Sequence, residues 1–238
     1  MCGRFAAFSP TGELLERFGA APVDGLAEHE PSWNVAPSLE VRTVVERRRQ
    51  GRLLAGLRWG LLPHWVENPA IGNRLTAARA ETAATRPAFR QALSRRRAIV
   101  PADGFYEWKR VENGTKRGGR QPFWFTRRDG DLVALGAMWE TWRDPEGELV
   151  RTVCLITTAA NADLDGVHDR MPLILEQRDW DQWLDPGLRD TAQLESLLAP
   201  RSEPRLRRHP VDPRVNRTDA DGPGLIEPMA TGHIQPVV

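Results

Sequence analysis

The feature that most constrains this chain is the length of its apolar runs, which are short, rich in branched and aromatic residues, and repeatedly cut by proline or glycine. Residues 41–45 (Val-Arg-Thr-Val-Val) and 53–62, the second stopping at Pro63, have the length and composition of strands. So do 98–101, running on into 104–108, and the segments 122–127, 131–142 and 150–158. Helices are expected over 86–96, where Pro87 stands near the start and Phe89 and Leu93 lie four apart, and near 177–184 and 190–198. Residues 113–121 read as a polar, glycine-rich loop between two strands, and 200–223 as a proline-rich, charged stretch with little periodicity. Strands dominate without a regular βαβ alternation, so the expected fold class is α+β. No repeat or linker divides the chain, and 238 residues with 40% hydrophobic content can bury one sizeable core, so a single domain over 1–238 is expected. No apolar run approaches the roughly 18 residues that span a bilayer, and a signal-peptide pattern is missing. The expected location is the cytosol, away from membranes.

The formal net charge of +1 gives no electrostatic footprint of a nucleic-acid binder. The basic residues are nonetheless unusual in kind: Lys109 and Lys116 are the only lysines, and the rest are arginines, whose planar forks suit phosphate although codon bias gives the same excess. Nine tryptophans serve either as core or as stacking platforms for unpaired bases. The two cysteines, Cys2 and Cys154, have no C-x-x-C spacing or histidine pair beside them, so no metal site and no disulfide framework is expected. Cys154 sits in an apolar run and reads as core.

Cys2 carries distinctive chemistry. Removal of Met1 leaves a cysteine with a free α-amine whose ordinary pKa, about 7.7 to 8, keeps part of it unprotonated at neutral pH. The amine condenses with an aldehyde to an imine, and the thiol then closes on the same carbon to a thiazolidine. With Met1 retained the amine is an amide, and this route is closed.

Two segments offer acid–base groups. In 104–108 (Gly-Phe-Tyr-Glu-Trp) a strand period of two puts Glu107 on the face of Phe105, opposite Tyr106 and Trp108. Burial among aromatics would raise its pKa toward neutrality; a rim glutamate beside Lys109 is the alternative. His168, in Gly-Val-His-Asp-Arg-Met-Pro (166–172), lies on a loop next to Arg170, a better acid–base setting than those of His29, His64, His209 or His233. Trp65, among Pro and Gly, is a stacking candidate, whereas Trp59 reads as core. Arg74, Arg79, Arg86 and Arg90, with Arg4 and Arg170, track a phosphate backbone or simply face solvent.

Taken in order, Met-Cys-Gly-Arg-Phe (1–5), Trp-Asn-Val-Ala-Pro (33–37), Trp-Gly-Leu-Leu-Pro (59–63), Ala-Arg-Ala-Glu-Thr (78–82), Pro-Ala-Asp-Gly-Phe-Tyr-Glu-Trp (101–108) and His-Asp-Arg-Met-Pro (168–172) resemble the SOS-response-associated peptidase (SRAP) family. The resemblance implies an α+β domain with a β-rich, barrel-like core and peripheral helices. It also implies a monomer that needs no cofactor or metal, meets single-stranded DNA containing an abasic site, and cross-links to the ring-opened sugar through Cys2. By motif, Glu107 is the acid/base and His168 assists sugar opening. Arg4, Asn34, Arg79 and Arg170 match DNA-contacting positions, with Trp65 as a stacking residue. A cytosolic protein drawn to the nucleoid on DNA damage follows. The family pattern Asn-Ala-Arg-Ala-Glu-Thr departs here to Ala77-Ala-Arg-Ala-Glu-Thr, so a catalytic-site amide has become a methyl group. A cysteine-dependent peptidase acting on itself or on others, and a non-covalent single-strand binder, are the competing readings.

Overall fold

The computed structural model describes residues 3–111, 119–200 and 205–229. In chain order its elements are β1 (Phe5–Ala7), α1 (Thr11–Phe18), β2 (Ala21–Pro22), β3 (Ser32–Val35), β4 (Glu40–Arg47), β5 (Gly51–Trp59), β6 (Ala77–Arg79), α2 (Ala80–Ala83), α3 (Arg90–Arg95), β7 (Arg97–Ala102), β8 (Gly104–Val111), β9 (Gly119–Arg127), β10 (Val133–Arg143), β11 (Leu149–Ala159), β12 (Arg170–Pro172), α4 (Trp180–Leu184), α5 (Glu195–Leu198) and β13 (Leu206–Pro210). Strand β4 pairs antiparallel with β5 and β7, β7 with β10, and β10 with β11. A short parallel pairing of β11 with β5, Thr152↔Arg58 and Val153↔Trp59, returns to the start and closes a five-stranded barrel. A second sheet, ordered β13-β9-β8-β1-β3, packs on it. The fold is α+β with a barrel core, as the resemblance implied.

Alternate residues of the barrel strands enter two different buried clusters. Leu53, Leu57, Val100 and Leu155 join Phe5, Phe105 and Phe125 of the second sheet. Leu54, Ile99, Cys154 and Ile156 join the helices through Phe18, Leu93, Trp180 and Trp183. With both faces covered, these strands read as continuous apolar runs. Burying each large side chain contributes roughly 1.5–3 kcal/mol, and the polar edge of Trp183 is satisfied by donation from its Nε1 to the Ala98 carbonyl at 2.8 Å. Cys154 is wholly buried, which pushes its thiol pKa up and makes it an inert core residue.

Several boundaries differ from the sequence expectations. The strand expected over 53–62 ends at Trp59, because Gly60 turns the chain at φ 129° and a side chain there would meet the Gly72 carbonyl. The helix expected over 86–96 is the short α3, preceded by a turn. Strand β13, paired along β9 from Leu206↔Arg127 to Pro210↔Phe123, crosses the stretch expected to lack periodicity. Helix α1 went unanticipated because it starts after Pro10 without a capping side chain; only its stop, Gly19 in the left-handed region at φ 57°, is a sequence signal. Residues 113–118 of the expected glycine-rich loop lie outside the described residues, and 119–121 belong to β9.

Candidate active site

Glu107 lies on β8, in the middle of the second sheet, opposite Phe123 of β9. The expected strand parity is present: Phe105 packs toward the barrel and stacks on Phe125, while Tyr106 and Trp108 go to the opposite cluster with Trp124. Gly104 is required at the head of this segment, since a Cβ there would collide with the Phe125 carbonyl and the Trp124 ring. The Glu107 side chain is only 1% exposed, and burial, ahead of every other influence, pushes its carboxyl up to about 7. It is therefore no rim glutamate, and it holds or releases a proton near neutral pH.

His168 follows the 3₁₀ turn Ala162–Leu164, and its amide donates to the Leu164 carbonyl at 3.3 Å. The ring is oriented by its own loop. Around Nδ1 stand the Arg170 amide N–H at 2.9 Å, the Arg170 carbonyl at 3.2 Å and Asp169 Oδ1 at 3.1 Å. The other ring nitrogen, Nε2, lies 4.0 Å from Glu107 Oε2. Burial lowers the His168 pKa, favouring the neutral ring. The two groups share a cleft of about 390 Å³ whose walls include Trp108, Val167 and Asp169.

The N-terminal strand arrives at the same place. Phe5↔Phe105 and Ala6↔Gly104 pair antiparallel, and the Tyr106 amide donates to the Arg4 carbonyl at 3.0 Å. Read backwards from Ala7, the chain runs along β8 toward Glu107. Asp103 fixes the other end of this strand by accepting the Phe8 and Ser9 amides at 2.7 and 3.1 Å. Cys2 lies outside the described residues.

The remaining expected site residues take varied positions. Arg4 and Asn34 are brought together: Arg4 Nη1 donates to Asn34 Oδ1 at 2.7 Å and to the Val215 carbonyl at 3.0 Å, while Asn34 Nδ2 donates to the Ala220 and Arg217 carbonyls at 2.7 and 2.9 Å. This network fastens the C-terminal segment to β1 and β3. Arg170 and Arg79 bracket the end of β11, in register with Ala159 and Thr157. Both terminal nitrogens of Arg170 donate to the Glu81 carboxylate, and Nη2 also donates to the Thr157 carbonyl at 2.6 Å, whereas Arg79 is exposed. Ala77, half-buried on β6, is in register with Leu155. Asn73, four residues earlier, is exposed, and its Oδ1 accepts from Ser38 Oγ at 3.0 Å. Trp65 is 55% exposed and lines a separate open cleft with Arg74. Arg110 and Arg120, which also wall the Glu107 cleft, were not anticipated. Their signal was available: they flank the glycine-rich loop at positions that a hairpin brings opposite each other.

A family model described as SOS response associated peptidase (SRAP) matches residues 1–218. The chain belongs to the SRAP family. It is 38% identical over 227 residues to the abasic site processing protein YoqW of Bacillus subtilis, covering 95% of this chain and 99% of that protein. Against the abasic site processing protein YedK of Escherichia coli the identity is 32% over 236 residues, covering 96% and 100%. Against the abasic site processing protein HMCES of Rattus norvegicus it is 27% over 273 residues, covering 96% and 76%. A crystal structure of a protein from Bacteroides thetaiotaomicron superposes with a TM-score of 0.82 at 22% identity, covering 96% of this chain and all of that one, and so shows the same fold. Among the described residues of this SRAP protein, no helix is long and apolar enough to cross a membrane.

Proposed function

We propose that this SRAP protein processes abasic sites in single-stranded DNA by forming a covalent thiazolidine cross-link through Cys2 after loss of Met1. The observation that carries this reading is the convergence of the N-terminal strand on a buried carboxyl with a pKa near 7 that faces an oriented imidazole. Relatives named as abasic site processing proteins support it.

An abasic sugar opens to an aldehyde, with His168 moving a proton on the ring oxygen. The Cys2 amine adds to that carbonyl carbon, giving a carbinolamine. Protonated Glu107 donates to the departing hydroxyl, so water leaves and the imine forms; the thiol then adds to the imine carbon and its proton passes to nitrogen. Aldehyde and aminothiol thus give thiazolidine and one water, with no oxidant, metal or cofactor in the balance. A carboxyl poised near neutrality both gives and takes protons in this sequence. Arg79, Arg170 and Arg4, the last oriented by Asn34, hold the strand, and Trp65 stacks on a neighbouring base.

Ala77 removes an amide from this site, so binding persists while cross-linking is slowed. A time course on abasic single-stranded DNA, read on denaturing gels, tests both statements. We expect an adduct that is absent for Cys2→Ala and forms about tenfold faster for Ala77→Asn. Free DNA with turnover of a peptide substrate would favour the peptidase reading, and salt-sensitive binding with no adduct would favour a non-covalent binder.

A further inference from the structure

Arg110 and Arg120 stand directly opposite each other across the β8–β9 ladder. Both are exposed, and both wall the cleft that holds Glu107 and His168. Like charges opposed in this way weaken strand pairing. Some arginines of this chain are coupled to carboxylates, Arg127 to Asp129 and Glu176, Arg52 to Glu46 and Asp181, and Arg170 to Glu81, while others, such as Arg79, face solvent. Among the described residues, no carboxylate lies within ion-pair distance of Arg110 or Arg120. The acid nearest to hand in the cleft, Asp169, leans instead on the His168 ring, with Oδ1 3.1 Å from Nδ1. Burial is the largest influence opposing protonation of that ring, and the charge of Arg120 adds to it as the smallest. Among the described residues, the outcome is a pair of guanidinium forks with no carboxylate partner, beside a site for a sugar.

We propose that Arg110 and Arg120 clamp one backbone phosphate, that of the phosphodiester adjoining the abasic sugar. The proposal rests on the abasic-site reading given above. A phosphodiester offers two charged oxygens, one for each fork, and its negative charge removes the cross-strand repulsion that the empty pair carries. The geometry suits a neighbouring linkage rather than a distant one. Strand alternation puts Arg110 and Arg120 on the face of Trp108, opposite that of Glu107, so the pair meets the cleft at its rim; Arg110 lies three residues along β8 from Glu107, about 10 Å of strand.

The test uses the full chain and single-stranded oligonucleotides carrying a tetrahydrofuran abasic analogue, in which one phosphodiester at a time is replaced by an uncharged methylphosphonate. For the native sequence, neutralising one linkage beside the analogue lowers affinity about tenfold, while linkages three or more nucleotides away matter less than twofold. In Arg110→Ala/Arg120→Ala that linkage loses its effect, and the dependence of log affinity on log salt becomes shallower by about 0.7, the loss of one phosphate contact on a single strand. Arg110→Lys/Arg120→Lys restores the salt dependence, which separates lost charge from lost structure. Equal losses at every linkage in the native and double-alanine proteins overturn the clamp. A native protein that cross-links to a natural abasic site while its linkage scan is flat overturns the clamp alone. One that gives no adduct and binds intact and abasic strands alike removes the parent reading together with the clamp.

Discussion

Among the described residues, two buried glutamates have a histidine for a neighbour, and only one of them stands in the candidate site. Glu107 is 1% exposed with His168 at 4.0 Å; Glu140 is 3% exposed with His64 at 3.7 Å. Glu140 is held by Arg96 at 3.0 Å and accepts the Thr141 amide at 2.9 Å, so its charge is matched by a permanent cation on the neighbouring structure. For Glu107 burial dominates, its carboxyl is pushed up to about 7, and it opens on a cleft. Residue type, burial and a nearby imidazole are thus insufficient to make a proton-transfer group. What separates the two is a guanidinium partner in one case and an outlet to a substrate-sized space in the other.

The largest expected consequence is on chemistry. Glu107→Gln should slow adduct formation with abasic single-stranded DNA by 10² to 10⁴, the usual worth of a general acid–base group, while Glu140→Gln should leave the rate within twofold. Equal rates for the two variants in a single-turnover time course would break the contrast. The next effect is on stability as a function of pH. A carboxyl raised from 4.5 to about 7 in the folded state keeps its proton longer there than in the unfolded chain, so native stability is full below about pH 4.5 and falls as pH rises toward 7. Glu107→Gln removes that fall and should be more stable than the native sequence above pH 7 by something on the order of 3 kcal/mol, with no gain at pH 4. Urea titrations at pH 4 and 8 measure it. Glu140→Gln should show the opposite sign, a loss of about 2 kcal/mol at pH 7 from leaving Arg96 without its carboxylate; this is reduced from the value for a sealed pair because Arg96 is partly exposed. The smallest effect sharpens the boundary of the site: Trp65→Ala should weaken binding to abasic single-stranded DNA about tenfold, the worth of one stacked base, with the cross-linking rate at saturating DNA unchanged. An anisotropy titration beside the single-turnover rate separates the two.

Much of this was legible in the chain. Glu107's face follows from a strand period of two, although the segment alone left burial and a rim position beside Lys109 both open; strands β4, β5, β7, β8, β10 and β11 follow from apolar runs cut by turn residues. Barrel closure was not legible, because a two-residue parallel contact between β11 and β5 leaves no local pattern. The same holds for the meeting of Glu107 with His168, which sit on separate elements. Strand β13 was hidden by its Arg-Arg-His-Pro composition; exposed residues on an edge strand need not be apolar. Arg4 and Asn34 were anticipated at the DNA surface, yet Asn34 is buried with its amide spent on backbone carbonyls. Their part in holding the C-terminal segment is a tertiary property that motif matching does not carry.

The most direct measurement is the intact mass of the product formed when the purified protein meets single-stranded DNA containing one natural abasic site. Thiazolidine capture through Cys2 predicts the mass of the Met1-free chain plus the oligonucleotide minus one water, absent for Cys2→Ala. Recovery of unmodified DNA beside a Met1-free protein, or an adduct that survives Cys2→Ala, would contradict it.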